Sequence, residues 1–342
     1  MKAIVTGGAG FIGSHVAERL VQAGHDVLVL DDLSGGVREN IPEGARFLHA
    51  SITEPLDERF ARFAPDVVYH LAAYAAEGLS HHIPVFNYTN NVTGTVNVLA
   101  AAHRAGARHF VFTSSIAVYG HPPTNAPFSE TTPPDPIDPY GIAKLACEQH
   151  IKAFARYFGG PAWTVFRPHN VFGPRQNISD PYRNVVGIFM AHALEERAMP
   201  VFGDGTQTRS FSYIDVVADA IAQAPETPAA RNLTVNIGGD EPMSVRELAR
   251  AVASVMGVAD RVEFLPPRKE VLHAHCDHAL AQRTFAAIYA QRAIGIERGL
   301  QRMARHVRSN PVPPATECPS SIELPELLPP SWAARLSRPP NR

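Results

Sequence analysis

The stretch Thr6-Gly7-Gly8-Ala9-Gly10-Phe11-Ile12-Gly13 decides the fold. It follows the apolar run Lys2–Thr6, which reads as a strand, and opens the pattern Phe11–Ala23, which reads as a helix. Gly7, Gly10 and Gly13 let the backbone turn tightly and approach a pyrophosphate, which then rests on the helix N-terminus. Asp31, at the end of the next strand-like run Val27–Leu30, stands at the right distance to accept hydrogen bonds from adenosine ribose hydroxyls. A carboxylate there repels a 2′-phosphate, and the nearest arginine after it is Arg38. NAD is therefore favoured over NADP.

Outward from this segment the chain alternates strands and helices. Arg46–His49, Val67–His70, His109–Thr113 and Trp163–Phe166 read as further strands, and Val85–Ala105 and Tyr140–Phe158 as helices. Such alternation predicts an α/β fold, a doubly wound parallel sheet. After Arg167 the pattern becomes irregular, with a loop over Gly173–Asn184 and helices over Val186–Glu196 and Val245–Met256. We expect a dinucleotide-binding domain over 1–167, to which part of 206–240 returns. A smaller substrate domain is expected over 168–205 and 241–308, and a proline-rich tail over 309–342. Prolines at this density bar helix and central strand, so the tail is expected to be extended on the surface or disordered.

Composition narrows the functional classes. Hydrophobic residues make up 45% of the 342 residues, enough for a sizeable core, and the formal net charge of −2 supplies no basic footprint for nucleic acid or a membrane surface. No apolar run reaches the roughly 20 residues of a membrane span. The three cysteines, Cys147, Cys276 and Cys318, are odd in number and widely spaced, which suits a reducing compartment. A cytoplasmic protein is expected.

A second constellation carries the chemistry. Thr113-Ser114-Ser115-Ile116-Ala117-Val118-Tyr119-Gly120 is followed by Asp138-Pro139-Tyr140-Gly141-Ile142-Ala143-Lys144. Asp138 suits an N-cap and Pro139 a first helical position, so a helix starts there. Tyr140 and Lys144 then share one helical face. A free phenol titrates near pH 10, and lowering that by about three units takes roughly 4 kcal/mol, which a neighbouring ammonium and the positive ring of NAD both favour. Ser115 is placed to hydrogen-bond the same substrate hydroxyl. His273-Ala274-His275-Cys276-Asp277-His278 superficially suggests a metal site, but on a strand Cys276 points away from His273 and His275, so no metal is expected.

Taken in order, TGGAGFIG, HLAA (His70–Ala73), NNVTGT (Asn90–Thr95), TSSIAVYG, PYGIAK, RPHNVFGPR (Arg167–Arg175) and FGDGTQTRSFSYIDV (Phe202–Val216) resemble the extended short-chain dehydrogenases. Within them, the chain is most similar to the UDP-glucose 4-epimerase group of nucleotide-sugar epimerases and dehydratases. The resemblance runs to about residue 305 and leaves out the tail. It implies a Rossmann-type sheet, tightly held NAD, a nucleotide-sugar substrate and a homodimer paired through the helices at Val85–Ala105 and Tyr140–Phe158.

Carried onto matching positions, the resemblance implies that Gly7, Gly10, Phe11, Ile12 and Gly13 hold the pyrophosphate, and Asp31, Asp32 and Ser34 the ribose. Leu71, Ala72 and Ala73 would line the cofactor cleft and Asn91 support it. Tyr140 and Lys144 would also contact the nicotinamide ribose, and Pro168 lie by the nicotinamide. Asn170, Asn184, Arg209 and Arg268 match positions that hold the substrate diphosphate, and Phe202 one that packs on its base. Arginine suits that task through its two parallel donors.

Departures matter as much. Where relatives often place an aspartate against adenine, this chain has Ala50-Ser51-Ile52, so with Ser51 and Ile52 at the cofactor the adenine contact is either weaker or made by Ser51. Glu77 falls where the sugar ring approaches, which is unusual for a plain glucose epimerase; it either binds a sugar hydroxyl or adds an acid/base. Dehydratases of the 4,6 type carry an acidic pair where Ile116 and Ala117 stand, and an apolar pair cannot protonate a leaving hydroxyl. A 3,5-epimerase of the GDP-mannose type would want cysteine at position 117. A non-catalytic scaffold predicts loss of Ser115, Tyr140 and Lys144, yet all three are present. The expected reaction is inversion of C4 through a transient 4-keto sugar, with dehydration as the competing outcome.

Overall fold

The structure, a computed structural model, describes residues 1–121, 127–180, 182, 184–239, 241–267, 271–310, 312, 321–329 and 332–333. Its centre is a seven-stranded parallel sheet built from β1 (Lys2–Thr6), β2 (Asp26–Asp31), β3 (Arg46–His49), β4 (Val67–His70), β5 (His109–Thr113), β6 (Ala162–Pro168) and a last strand, Leu233–Ile237. The spatial order runs from Leu233–Ile237 through β6, β5, β4, β1 and β2 to β3. The order reverses between β1 and β4, which leaves a crevice at the carboxyl ends of those strands, where α/β sheets bind ligands.

The strands are apolar because both faces are covered. Ala3 and Val5 of β1 pack into one core with Val16 and Leu20 of the Phe11–Gln22 helix, whereas Ile4 packs into another with Phe60, Leu99 and Ile151. That alternation is the two-residue period of a strand with helices on either side. The segment Phe211–Ala222 contributes a helix, Ile214–Gln223, which lies beside Phe11–Gln22 and is tied to it by Arg19, paired with Asp219 at 2.7 Å and Asp215 at 2.8 Å.

Local signals explain several boundaries. The Pro139–Phe158 helix starts where the Asp138 carboxylate accepts from the Gly141 amide at 2.8 Å, carries Pro139 in its first turn, and stops at Gly159, whose φ is 74°. The Val245–Val255 helix begins with a reciprocal capping box between Ser244 and Glu247. The helix expected over Val85–Ala105 is interrupted: Pro84–Tyr88 and Gly94–Arg104 are joined by a π-helical turn, Thr89–Thr93. Such turns occur often at functional sites. Among the described residues, no helix is long and apolar enough to cross a membrane.

Prolines bar regular structure but not docking, and Trp332 is only 6% exposed, packed with Tyr74, Ala76, Leu79 and Ile83.

Three histidines, His70 and His109 on strands and His15 on the Phe11–Gln22 helix, are buried as neutral rings. Burial holds His70 and His15 down at about 3 and His109 at about 4, against an ordinary value of 6.5. The unfolded chain therefore binds more protons between those values and 6.5, so the stability they protect is complete above 6.5 and is lost as pH falls through this window. Each histidine contributes a slope of about 1.4 kcal/mol per pH unit there. Chemical-denaturation titrations are expected to show stability falling from below pH 6.5; a flat profile between pH 6 and 4.5 would contradict the neutral assignment.

Candidate active site

One cavity of about 2680 Å³ runs from the glycine turn across the sheet edge to the irregular half of the chain. Its floor is the Thr6–Gly13 turn. Gly7 sits at φ 70°, and a Cβ there would lie 2.7 Å from the Ala72 backbone, while a Cβ on Gly13 would lie 2.1 Å from the Gly7 carbonyl oxygen. The turn is thus closed by backbone packed directly on backbone. Gly10 caps the Phe11–Gln22 helix with no side chain, so its first amides face the cavity without a side-chain acceptor. This is the cradle a pyrophosphate needs, and the residues fit a dinucleotide.

The ribose position is equally defined. Asp31 accepts from the amides of Ala9 at 2.9 Å and Leu33 at 2.8 Å, and burial pushes its carboxyl above the usual range. Asp32 accepts from the amide and hydroxyl of Ser34, at 3.0 and 2.6 Å. Asp31, Asp32, Ser34 and Ile52 all line the cavity. Ser51 is not on that wall; its hydroxyl shares a 3.0 Å hydrogen bond with Thr53.

Behind the wall runs a chain of polar groups whose direction can be assigned. The Thr95 hydroxyl donates to Asn91 O at 2.6 Å, so it accepts from His70 Nε2 at 2.9 Å. His70 Nδ1 then accepts from Thr6 Oγ1 at 2.7 Å, and Thr6 Oγ1 in turn accepts from the Ala72 amide. Asn91 itself is buried; its side chain takes the Tyr74 amide at 2.8 Å and donates to Tyr74 O at 3.1 Å. It lies behind the cavity and fixes the segment after Leu71, Ala72 and Ala73, which do line it.

At the far side of this wall Ser115, Tyr140 and Lys144 come together on the cavity surface. Ser115 ends the β5 extension, its hydroxyl accepting from the Ala117 amide at 3.1 Å. Tyr140 is 6% exposed, with the Lys144 ammonium 5.8 Å from its ring centre. Lys144 donates to Thr113 O at 2.7 Å, and burial brings its pKa down to about 8. The cation is held by a carbonyl on β5 and faces the phenol ring.

Sequence reasoning missed the scaffold behind these groups. Ser114 donates to Glu148 at 2.6 Å, and Glu148 accepts two bonds from Arg167, at 2.8 and 2.6 Å. Arg167 also donates to the Tyr119 hydroxyl at 2.8 Å. Glu148 and Arg167 are almost wholly buried and pair with each other, and Lys152 Nζ lies 3.7 Å from the same carboxylate. This pair locks the backbone that presents Ser115 to the helix that presents Tyr140. Glu148 stands four residues after Lys144, and that spacing was the available signal. Gly36 was missed as well; a Cβ there would meet Ala9 at 2.6 Å.

Pro168, matched to the nicotinamide, lines the cavity; so do Glu77, Asn170, Asn184, Phe202 and Arg209, matched to the substrate, and Arg268 lies outside the described residues. Glu77 opens a short helical turn, Glu77–Ser80. Asn184 caps the Val185–Leu194 helix by accepting from the Val186 amide. Arg209 donates to the carbonyls of Thr208, Leu272 and Val271. Among the described residues, no group of three or more His, Cys, Asp or Glu converges as a metal site; His273 is exposed and Cys276 buried.

Comparison with known proteins agrees with this geometry. UDP-glucose 4-epimerase of Mycolicibacterium smegmatis is 40% identical over 277 residues, 78% of this chain and 87% of that protein. The crystal structure of UDP-glucose 4-epimerase from Thermotoga maritima with UDP-glucose superposes with a TM-score of 0.84 at 34% identity, over 90% of this chain and 99% of that one. About a tenth of this chain therefore has no counterpart there. An NAD-dependent NDP-hexosamine 5,6-dehydratase of tunicamycin biosynthesis is also similar, with a TM-score of 0.80 at 30% identity over 91% of this chain and 99% of its own. The profile of one family, described as NAD dependent epimerase/dehydratase, matches residues 3–238. With that match over more than half of its length, this chain belongs to the NAD dependent epimerase/dehydratase family.

Proposed function

We propose that the protein inverts C4 of a nucleotide-linked hexose, with UDP as the nucleotide, through a transient 4-keto sugar. The observation that carries this is the pairing of Tyr140 with the buried Lys144 beside Ser115, followed by the apolar Ile116 and Ala117. Gly7, Gly10, Phe11, Ile12 and Gly13 would hold the pyrophosphate of NAD, Asp31 and Asp32 its ribose, and Pro168 would border its nicotinamide. When bound, NAD supplies the hydride acceptor for a carbinol and the donor for the ketone.

The chain's own groups do the rest. Tyr140, as phenolate, takes the proton of the C4 hydroxyl, and the Lys144 ammonium favours that phenolate. Ser115 hydrogen-bonds the same oxygen and keeps it in line with Tyr140. When the ketone has turned over in the cavity, Tyr140 returns the proton to the oxygen presented by the other face. Asn170, Arg209 and Arg268 would hold the diphosphate near the helix capped by Asn184, and Phe202 would pack on the base. Anchoring the nucleotide leaves the sugar free to turn.

Dehydration needs an acid at the leaving hydroxyl, and Glu77, which lines the cavity, is the residue that favours it. NMR of UDP-glucose incubated with the purified protein separates the readings. A mixture with UDP-galactose is expected; a dehydrated keto-sugar would overturn the proposal. A cytoplasmic homodimer belongs to the same reading. Its supports are the free, buried thiols of Cys147 and Cys276 and the exposed Val85, Tyr88 and Ile142 on the two helices expected to pair.

A further inference from the structure

The described part of the C-terminal tail crosses back over the cavity by a built set of contacts. The amides of Glu323 and Leu324 donate to His82 O at 2.9 and 3.1 Å, and His82 Nδ1 donates to Leu324 O at 2.7 Å. The Glu323 carboxylate accepts from the amides of Val85 and Phe86, at 2.7 and 2.8 Å. These are first-turn amides of the Pro84–Tyr88 helix, which has no side-chain cap of its own at Ile83. A carboxylate from the tail thus satisfies orphan donors and complements the positive helix end.

Trp332 is the second anchor. Its ring packs so closely on Gly78 that a Cβ there would meet it at 3.0 Å, and it meets the Tyr182 ring edge-on with centres 5.2 Å apart. Gly78 follows Glu77, and Tyr182 belongs to the loop that leads to Asn184. The tail therefore bridges the two segments that flank the sugar end of the cavity. Leu324, Leu328, Pro329 and Trp332 line the same cavity as Glu77, Ser115 and Tyr140.

We propose that the described tail segment, residues 321–329 with Trp332, forms an outer wall of the sugar subsite, with Trp332 and Glu323 as its anchors, and that it sets the size of sugar the cavity accepts. The inference rests on the proposed nucleotide-sugar substrate. A wall pinned at two points excludes a larger sugar by steric conflict, whereas the diphosphate and base contacts lie elsewhere and are unaffected. Trp332 and Glu323 are positioning residues in this account.

The test uses the full chain and two substitutions, Trp332→Ala and Glu323→Gln. The kcat/KM ratio for UDP-N-acetylglucosamine over UDP-glucose is expected to rise at least about tenfold in Trp332→Ala and less in Glu323→Gln, through KM rather than kcat. Calorimetric binding of both sugars is measured alongside. The chain has two tryptophans, Trp163 and Trp332, so Trp163→Phe leaves Trp332 as the sole emitter. Its emission is expected to be blue and poorly quenched by iodide in the full chain. An unchanged preference in both turnover and binding, or a red and readily quenched Trp332, would overturn the proposal. Protein that binds both sugars with the expected change of preference but epimerises neither would support the wall and refute the reaction.

Discussion

Tyr140→Phe is expected to lower kcat by about 10³-fold, within the range of removing a positioned acid/base, while the protein still carries NAD through purification. The loss corresponds to roughly 4 kcal/mol of transition-state stabilisation. Both halves of the result follow from the site. Asp138, Pro139 and the Gly141 amide fix the start of the helix, so a phenylalanine keeps the same backbone and ring packing. What disappears is the oxygen that exchanges a proton with the sugar. Lys144 remains bonded to Thr113 O, and its cation then has no phenolate to favour. Single-turnover assays and release of NAD on denaturation measure the two halves separately. Full turnover in this variant would remove Tyr140 from the chemistry.

Gly13→Ala is expected to act at the other end of the cavity, by emptying it. The new methyl would lie 2.1 Å from the Gly7 oxygen, 2.7 Å from its carbonyl carbon and 2.9 Å from the Gly8 Cα. All three are backbone atoms, so no side-chain rotation relieves the clash, and the turn has to move. Overpacking of this kind costs about 1–3 kcal/mol, which corresponds to roughly 5- to 150-fold in affinity when it falls on the cofactor cradle. The protein should emerge from purification with little NAD, shown by its absorbance at 260 nm relative to 280 nm. Full occupancy would mean that the turn has another way to accommodate the group.

The parts of this molecule written in local spacing were legible in the sequence. Gly7, Gly10 and Gly13 announce a turn because only glycine tolerates such backbone contact, and Asp138-Pro139 announces the helix that sets Tyr140 and Lys144 on one face. Parts assembled from distant segments were not. The partner of Glu148 is Arg167, on β6, nineteen residues away, and no local pattern joins the two. The π turn at Thr89–Thr93 leaves no mark in the apolar periodicity, since the flanking helices keep the run continuous. The docking of Trp332 was not legible either, because its burial depends on Tyr74, Ala76, Leu79 and Ile83, which no local pattern near Trp332 encodes. Glu77 was placed near the sugar from the sequence, and it does reach the cavity wall.

The central claim is that C4 itself loses and regains its hydrogen within one protected cavity. UDP-galactose carrying deuterium at C4 tests it most directly, with the product followed by NMR in ordinary water. The account predicts UDP-glucose that keeps the deuterium at C4. Loss of the label to solvent, or a product dehydrated at a neighbouring carbon, would contradict it.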